Sequence, residues 1–297
     1  MFEISCVARV ENDLGEGPWW DVNGQALWWA DAWNSRIWRH HPQEGSTQSY
    51  PLPAPVQEEP IGSIVLDHQG RIVCAAKRDF WRIDLERNEA SLIAAAEHDR
   101  PSTNRLNDGK CDRAGRYWCG SLNTDWSHAT GALYRLDTAH QVERVIDNHG
   151  ISNGIAFSPD DRLFYYADSR DSMVWQFDFD LATGTLSNRR RFIDLTHIAG
   201  QVDGATVDAN GCYWCALFGV GGVAQFDPKG RLVRRIDLPV QYPAMCTFGG
   251  AGLDTLYVTT ARRFLDGAQL AAQPLAGSLL AVHGLGVKGL AEPRYGG

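Results

Sequence analysis

The chain has 297 residues, of which 44% are hydrophobic, and this apolar content is sufficient for one large core. Its 28 Lys and Arg residues are outnumbered by 36 Asp and Glu residues, and the net charge of −8 argues against a nucleic-acid partner. No apolar run is long enough to span a membrane, and residues 1–16 do not resemble a signal peptide. Seven cysteines, an odd number, fit reduced thiols, so we expect a cytoplasmic protein without a membrane or obligate protein partner.

A repeat of about 46 residues runs along the sequence. Each copy has a turn rich in Asp, Asn and Gly, followed by an aromatic or β-branched run. This turn and run occupy residues 21–29, 67–73, 112–118, 158–166 and 208–214, with a looser sixth copy at 249–258. Further strand-like runs follow, as at 79–84 and 131–137, which predicts four short antiparallel strands per unit.

Repetition of small sheets at this period predicts an all-β fold, a six-bladed β-propeller that spans residues 1–297 as a single domain. A two-sheet sandwich does not explain a period of this length. In a propeller, the first strand of every blade faces the central axis. Equivalent positions on these strands are therefore expected to meet at the axis.

One position, five residues before each repeat, is chemically distinctive. Its six occupants are Glu16, Gly62, Asn107, Asn153, Asp203 and Ala244. Four of them carry carboxylate or amide oxygens, although the surrounding segments are largely apolar. Buried polar groups need hydrogen bonds or a bound ion, and the two readings left open here are a water-filled channel and a cation site.

Two carboxylates and two amides form an all-oxygen set that suits a divalent cation. Ca²⁺, Mg²⁺ and Mn²⁺ prefer such ligands, and Zn²⁺ or Fe²⁺ are also compatible, so the sequence predicts one divalent metal ion at the central axis without identifying it. Such an ion promotes hydrolysis by polarising a carbonyl and acidifying water. Asp203 is then a candidate for both ligand and general base.

Arg105 precedes Asn107 by two residues on the same predicted strand, so both side chains are expected on one face. A guanidinium group there would hold an oxygen-rich substrate, whereas a surface ion pair is the simpler alternative. Trp33 and Trp126 lie in loops after predicted strands. They are candidates for the wall of a pocket, while most other tryptophans are expected to pack between blades.

Five segments resemble the hallmark sequences of the senescence marker protein/gluconolactonase family, which includes regucalcin and bacterial sugar lactonases. These segments are 14–18, 104–110, 152–159, 202–208 and 256–261. The resemblance extends from about Leu14 to about Val282.

This resemblance implies a six-bladed propeller that hydrolyses aldonolactones such as glucono-, xylono-, arabinono- or galactonolactone. It implies a metal bound by Glu16, Asn153 and Asp203, a lactone held by Arg105 and Asn107, and Asp203 as the base. Asp125 stands where relatives often carry Glu on a substrate-binding loop. Residues 264–273 resemble a segment that borders the pocket, either as a rim or as a lid.

The resulting hypothesis is a metal-dependent lactonase whose only partner is a small sugar lactone. Two alternatives remain. One is a calcium-binding regulatory propeller without turnover, and the other is a related hydrolase that acts on phosphotriesters.

Overall fold

The computed structural model describes residues 2–57, 60–126, 128–198 and 200–297. Within these ranges the chain forms short strands and one helix of six residues, α1 (Gly267–Ala272), which is far too short to cross a membrane. The strands are β1 (Glu3–Ala8), β2 (Gly15–Asp21), β3 (Ala26–Asp31), β4 (Arg36–His41), β5 (Ser46–Pro51), β6 (Ile61–Leu66), β7 (Ile72–Ala76), β8 (Asp79–Asp84), β9 (Glu89–Ala95), β10 (Asn104–Cys111), β11 (Tyr117–Asn123), β12 (Gly131–Leu136), β13 (Val142–His149), β14 (Ser152–Phe157), β15 (Leu163–Asp168), β16 (Met173–Asp180), β17 (Thr185–Asp194), β18 (Gln201–Val207), β19 (Tyr213–Phe218), β20 (Gly222–Phe226), β21 (Leu232–Asp237), β22 (Pro243–Gly249), β23 (Thr255–Thr260) and β24 (Leu279–His283).

The strands form six sheets of four antiparallel strands each. Sheets one to five each use four consecutive strands, beginning with β2, β6, β10, β14 and β18. The sixth sheet combines β22, β23 and β24 with β1, which pairs with β24. Inner strands of successive sheets contact one another, and β2 contacts both β6 and β22, so the ring is closed. The predicted all-β, six-bladed propeller is confirmed.

The repeated aspartates stabilise the turn between the first two strands of a blade. Asp112 Oδ1 accepts hydrogen bonds from two backbone N–H groups of its own turn, and its Oδ2 accepts one from the indole N–H of Trp118 at 2.8 Å. Asp208 and Trp214 repeat this contact at 2.9 Å. The spacing of Asp and aromatic residue in the sequence repeat therefore reflects a hydrogen bond that ties each of these turns to a buried ring.

All six inner strands contain a β-bulge, and each bulge falls at the position singled out in the sequence. The register breaks between Glu16 and Trp19, Ile61 and Ser63, Leu106 and Gly109, Asn153 and Ala156, Val202 and Ala205, and Pro243 and Met245. Gly17 and Gly154 follow the polar residue with φ of 57° and 65°, a conformation that favours glycine. Bulges redirect side chains, so this recurring irregularity aims the six positions towards the axis.

Residues 284–297 cross the end of the propeller where the Asp-containing turns lie. Glu292 Oε1 accepts hydrogen bonds from Lys110 Nζ on β10 at 2.7 Å and from Thr247 Oγ1 on β22 at 3.3 Å. These strands belong to the third and sixth sheets, which face each other across the axis. Tyr295 is completely buried. The segment therefore ties opposite blades together.

We expect Tyr295→Ala to lower the free energy of unfolding by about 3 kcal/mol, because a buried aromatic ring is lost. The variant also loses the hydrogen bond from the Tyr295 hydroxyl to the Asp137 carbonyl, 2.9 Å long. Urea unfolding followed by tryptophan fluorescence measures the change. Phe2→Ala is the matched control, since the Phe2 ring is 42% exposed and its removal should leave stability nearly unchanged. Equal stability of both variants would show that the C-terminal segment is only loosely attached.

Candidate functional site

A pocket opens at the end of the propeller opposite residues 284–297, where the inner strands begin. It is lined by Leu14, Glu16, Arg105, Asn107, Leu122, Trp126, Ile151, Asn153, Ser169, Gln201, Val202, Asp203, Phe218 and Phe264. All four polar residues of the repeated position are among them. The predicted convergence of these residues at one place is therefore observed.

Gly62, one of the two apolar members of the repeated position, has a steric role. A Cβ atom at Gly62 would lie 2.5 Å from both the Cα and the carbonyl oxygen of Asn107. Any larger residue would push β6 away from β10. The gap in the polar pattern at Gly62 thus allows the strand that carries Asn107 to approach closely.

A chain of hydrogen bonds links three blades at the floor of the pocket. Arg105 Nη1 donates to Asn107 Oδ1 at 2.8 Å, and Asn107 Nδ2 donates to Asn153 Oδ1 at 2.9 Å. Asn153 Nδ2 then donates to Ser169 Oγ at 2.8 Å, and Ser169 donates to the carbonyl of Val202. These contacts fix the orientation of both amides. One face of the pocket is therefore preorganised before any ligand binds.

Glu16 and Asp203 place two carboxylates in this buried environment, with exposures of 6% and 8%. Burial raises the pKa of Glu16 well above its ordinary value, and the charge of Asp203 raises it further. Burial likewise raises the pKa of Asp203, followed by the charge of Asp108. Arg105 lowers the pKa of both, and its own pKa is lowered by burial. One guanidinium therefore offsets only part of the unfavourable free energy of the two carboxylates.

The donor set at the floor suits an oxygen-coordinated divalent cation. Among the described residues, no three or more His, Cys, Asp or Glu side chains are grouped to hold a metal ion. The atoms that could coordinate a metal are instead the carboxylate oxygens of Glu16 and Asp203, together with amide oxygens. A second positive charge would relieve the repulsion and the cost of burial that raise the pKa of both acids. The residues present therefore fit a hard cation better than a thiolate or imidazole site.

Aromatic side chains surround the mouth of the pocket. The Phe264 ring lies 5.3 Å from Phe218 and 5.4 Å from Tyr242, measured between centroids, and remains 43% exposed. Trp126, which is 57% exposed, lies at the mouth as well. Residues 264–273, which were expected to border the pocket, begin at this rim with Phe264 and continue through α1.

Trp33 contacts the site from outside the pocket lining. The Arg105 guanidinium carbon lies 5.6 Å from the centre of the Trp33 ring, and that of Arg263 lies 4.5 Å from it. Arg263 is in turn paired with Asp13 at 2.9 Å. The indole ring thus packs beside the guanidinium that is bonded to Asn107.

The structure does not place Asp125 in the pocket lining. Asp125 lies in the exposed loop between β11 and β12, where its backbone N–H donates to the Asn123 side chain at 2.9 Å. Its neighbour Trp126 occupies the pocket mouth instead. A substrate contact for Asp125 stays a prediction.

Several lining residues were not identified from the sequence, among them Ser169, Phe218 and Gln201. Ser169 follows the second strand of the fourth sheet and joins the hydrogen-bond chain. Phe218 ends β19 and has only its aromatic character as a signal. Gln201 precedes Asp203 by two residues, the same spacing that identified Arg105 from Asn107, so this residue could have been found from the pattern.

The fold and the site together define a six-bladed β-propeller with an acidic, amide-lined pocket at its axis. The sequence profile described as "SMP-30/Gluconolactonase/LRE-like region" matches residues 14–262. The chain belongs to this family.

Relatives with different reported properties are similarly close. Regucalcin from Sus scrofa is 36% identical, and 6-deoxy-6-sulfogluconolactonase from Pseudomonas putida is 35% identical, each match covering 99% of both chains. The crystal structure of regucalcin from Agrobacterium tumefaciens, described as a calcium-binding protein, has a TM-score of 0.92 at 27% identity. It covers 99% of this chain and 97% of that chain.

The raised pKa values predict how stability depends on pH when divalent cations are removed. Between the unfolded-state pKa values, about 4, and the higher folded-state values of Glu16 and Asp203, the folded state binds more protons. Stability should therefore fall as pH rises through this interval. In chelator at pH 8, Asp203→Asn should be more stable than the unmodified protein by about 1 kcal/mol or more.

Urea unfolding at pH 5 and pH 8 measures this difference. Asp178→Asn is the control, because the Asp178 carboxylate is exposed and its pKa is lowered by bonds to Asn188 and Arg190. A stability difference for Asp203→Asn that is the same at both pH values would contradict the electrostatic description of the pocket.

Proposed function

We propose that this protein is a metal-dependent lactonase that hydrolyses the ester of a sugar lactone and releases the open aldonic acid. The observation that carries the proposal is the meeting of Glu16 and Asp203 with Arg105 and two oriented amides on the floor of one pocket. The similarity to the Pseudomonas putida sulfogluconolactonase over 99% of both chains supports this chemistry.

A divalent ion would be held by Glu16, Asn153 and Asp203. The candidate ions are Ca²⁺, Mg²⁺, Mn²⁺, Zn²⁺ and Fe²⁺. The three residues bring two negative charges and an amide oxygen, and the repulsion between the carboxylates is relieved by a cation. Such an ion supplies Lewis acidity towards an ester carbonyl and lowers the pKa of water.

Arg105 and Asn107 bind and orient the lactone. Arg105 uses Nη1 for contacts within the protein, to Asn107 and to the Leu106 carbonyl. Its Nε is buried without a partner, whereas Nη2 makes no hydrogen bond to the described residues and is the donor left for substrate oxygens. A guanidinium with several donors in one plane is suited to hold neighbouring oxygens of a ring.

Asp203 is assigned as the general base. It removes a proton from the attacking water while the water oxygen bonds to the carbonyl carbon. The ring C–O bond then breaks, and the departing oxygen receives a proton to become a hydroxyl group. Asp203 must be ionised to start this sequence, and Arg105 contributes by lowering its pKa.

A calcium-binding protein without turnover is the second candidate. It is favoured by the name of the Agrobacterium tumefaciens relative, and the same oxygen donors would serve it. The two candidates differ in whether a substrate is consumed, so a direct assay separates them.

The first test is a panel of five- and six-carbon aldonolactones, incubated with protein that has been loaded in turn with each of the five ions. Acid release, followed by a pH indicator, is expected for at least one lactone and should stop when chelator is added. A phosphotriester in the same panel tests the related hydrolase activity. Tight Ca²⁺ binding without acid release from any lactone would favour the second candidate.

Two substitutions separate the proposed roles. Asp203→Asn should reduce kcat at least about 1,000-fold, because the base and a ligand are lost together. Arg105→Ala should raise KM by about 10-fold or more, since it removes binding interactions, and should reduce kcat far less than Asp203→Asn does. Asp178→Asn serves as the control for both. Similar effects of the first two variants on kcat and KM would contradict the assignment.

A further inference from the structure

Gln201 has an unassigned amide inside the pocket. It is the first residue of β18 and precedes Asp203 by two positions, and both residues line the pocket. Gln201 is half-buried and lines the pocket. Its side chain makes no hydrogen bond to the described residues, although an amide offers two donors and an oxygen acceptor.

The position of Gln201 relative to the floor is set by strand geometry. Two residues of a strand span about 6.6 Å, so Gln201 lies one step nearer the mouth than Asp203. The corresponding positions in the first and fourth sheets, two residues before Glu16 and Asn153, are Leu14 and Ile151. These aliphatic side chains offer no hydrogen bonds. The wall above the floor is therefore polar only over part of its circumference.

Arg105 occupies the equivalent step on the third sheet, but one of its terminal nitrogens is already engaged within the protein. Its Nη1 donates to Asn107 and to the Leu106 carbonyl, and its guanidinium packs beside Trp33. Gln201, in contrast, retains its full hydrogen-bonding capacity. An uncommitted amide in a mainly aliphatic wall is suited to recognise a single polar group of a ligand.

We propose that Gln201 determines substrate specificity by hydrogen bonding to the carbon-6 hydroxyl group of the sugar lactone. This inference rests on the proposed lactonase function. With the ester at the floor, the exocyclic end of a six-carbon lactone reaches the level of Gln201. The amide pairs with a hydroxyl there, whereas a methyl group leaves it unpaired. The substrate class is thus a six-carbon lactone with a hydroxyl group at carbon 6, in preference to its 6-deoxy analogue.

Matched substrates isolate this contact. L-Galactono-1,4-lactone and L-fucono-1,4-lactone differ only in the hydroxyl at carbon 6, and L-mannono- and L-rhamnono-1,4-lactone form a second such pair. In each pair we expect the unmodified protein to have the higher kcat/KM for the hydroxylated lactone, by about 3- to 10-fold. Gln201→Met, which keeps the length of the side chain but not its amide, should abolish this preference.

The loss in Gln201→Met should appear in kcat/KM for the hydroxylated lactones, with little change for the deoxy lactones. Gln141→Met is the control, because Gln141 lies in an exposed turn at the opposite end of the propeller. It should leave both kinetic values unchanged.

The outcomes distinguish this inference from the proposed function. Hydrolysis of lactones with no preference within either pair, or an equal loss for both members in Gln201→Met, overturns the role of Gln201 and leaves the lactonase intact. Absence of hydrolysis for every lactone by the unmodified, metal-loaded protein overturns both.

Discussion

The burial of two carboxylates at the axis is the constraint on which the site depends. Glu16 and Asp203 come from the first and fifth sheets and are almost inaccessible to water, and burial raises the pKa of each. A single guanidinium, Arg105, counters this effect. The folded state therefore holds negative charge that it compensates only partly. Such an arrangement lowers the free energy of unfolding. A ligand that binds the folded state at these carboxylates would offset this loss.

The propeller tolerates this arrangement because its blades carry the stability elsewhere. Buried rings such as Trp118 and Trp214 are bonded to the aspartates of their turns, and the cores of the blades surround the axis. The bulge at each inner strand then redirects one side chain, while the pairing of the second and third strands keeps an unbroken register. Packing and function are thus separated along each blade. The residues at the bulges can differ between blades while the fold is kept.

Much of the architecture could be predicted from the sequence, because a periodic pattern of turn and strand residues has one common structural solution. The convergence of Glu16, Asn107, Asn153 and Asp203 followed from the same period. Other features depend on distances that no periodic pattern contains. The steric need for Gly62 arises from its neighbour in another blade. The exposure of Asp125 is a property of a loop, whose path is less constrained than that of a strand. Gln201 could also have been predicted, because it precedes Asp203 by the same spacing that separates Arg105 from Asn107.

The C-terminal segment affects how a ligand can reach and leave the axial pocket. Glu292 bridges Lys110 and Thr247, and Tyr295 is sealed beneath the same end of the ring. Among the described residues, this bridge obstructs the axis at the end opposite the pocket. A ligand bound at Glu16 and Asp203 would then enter and leave on the side of Trp126 and Phe264, so release of one ligand would have to precede binding of the next.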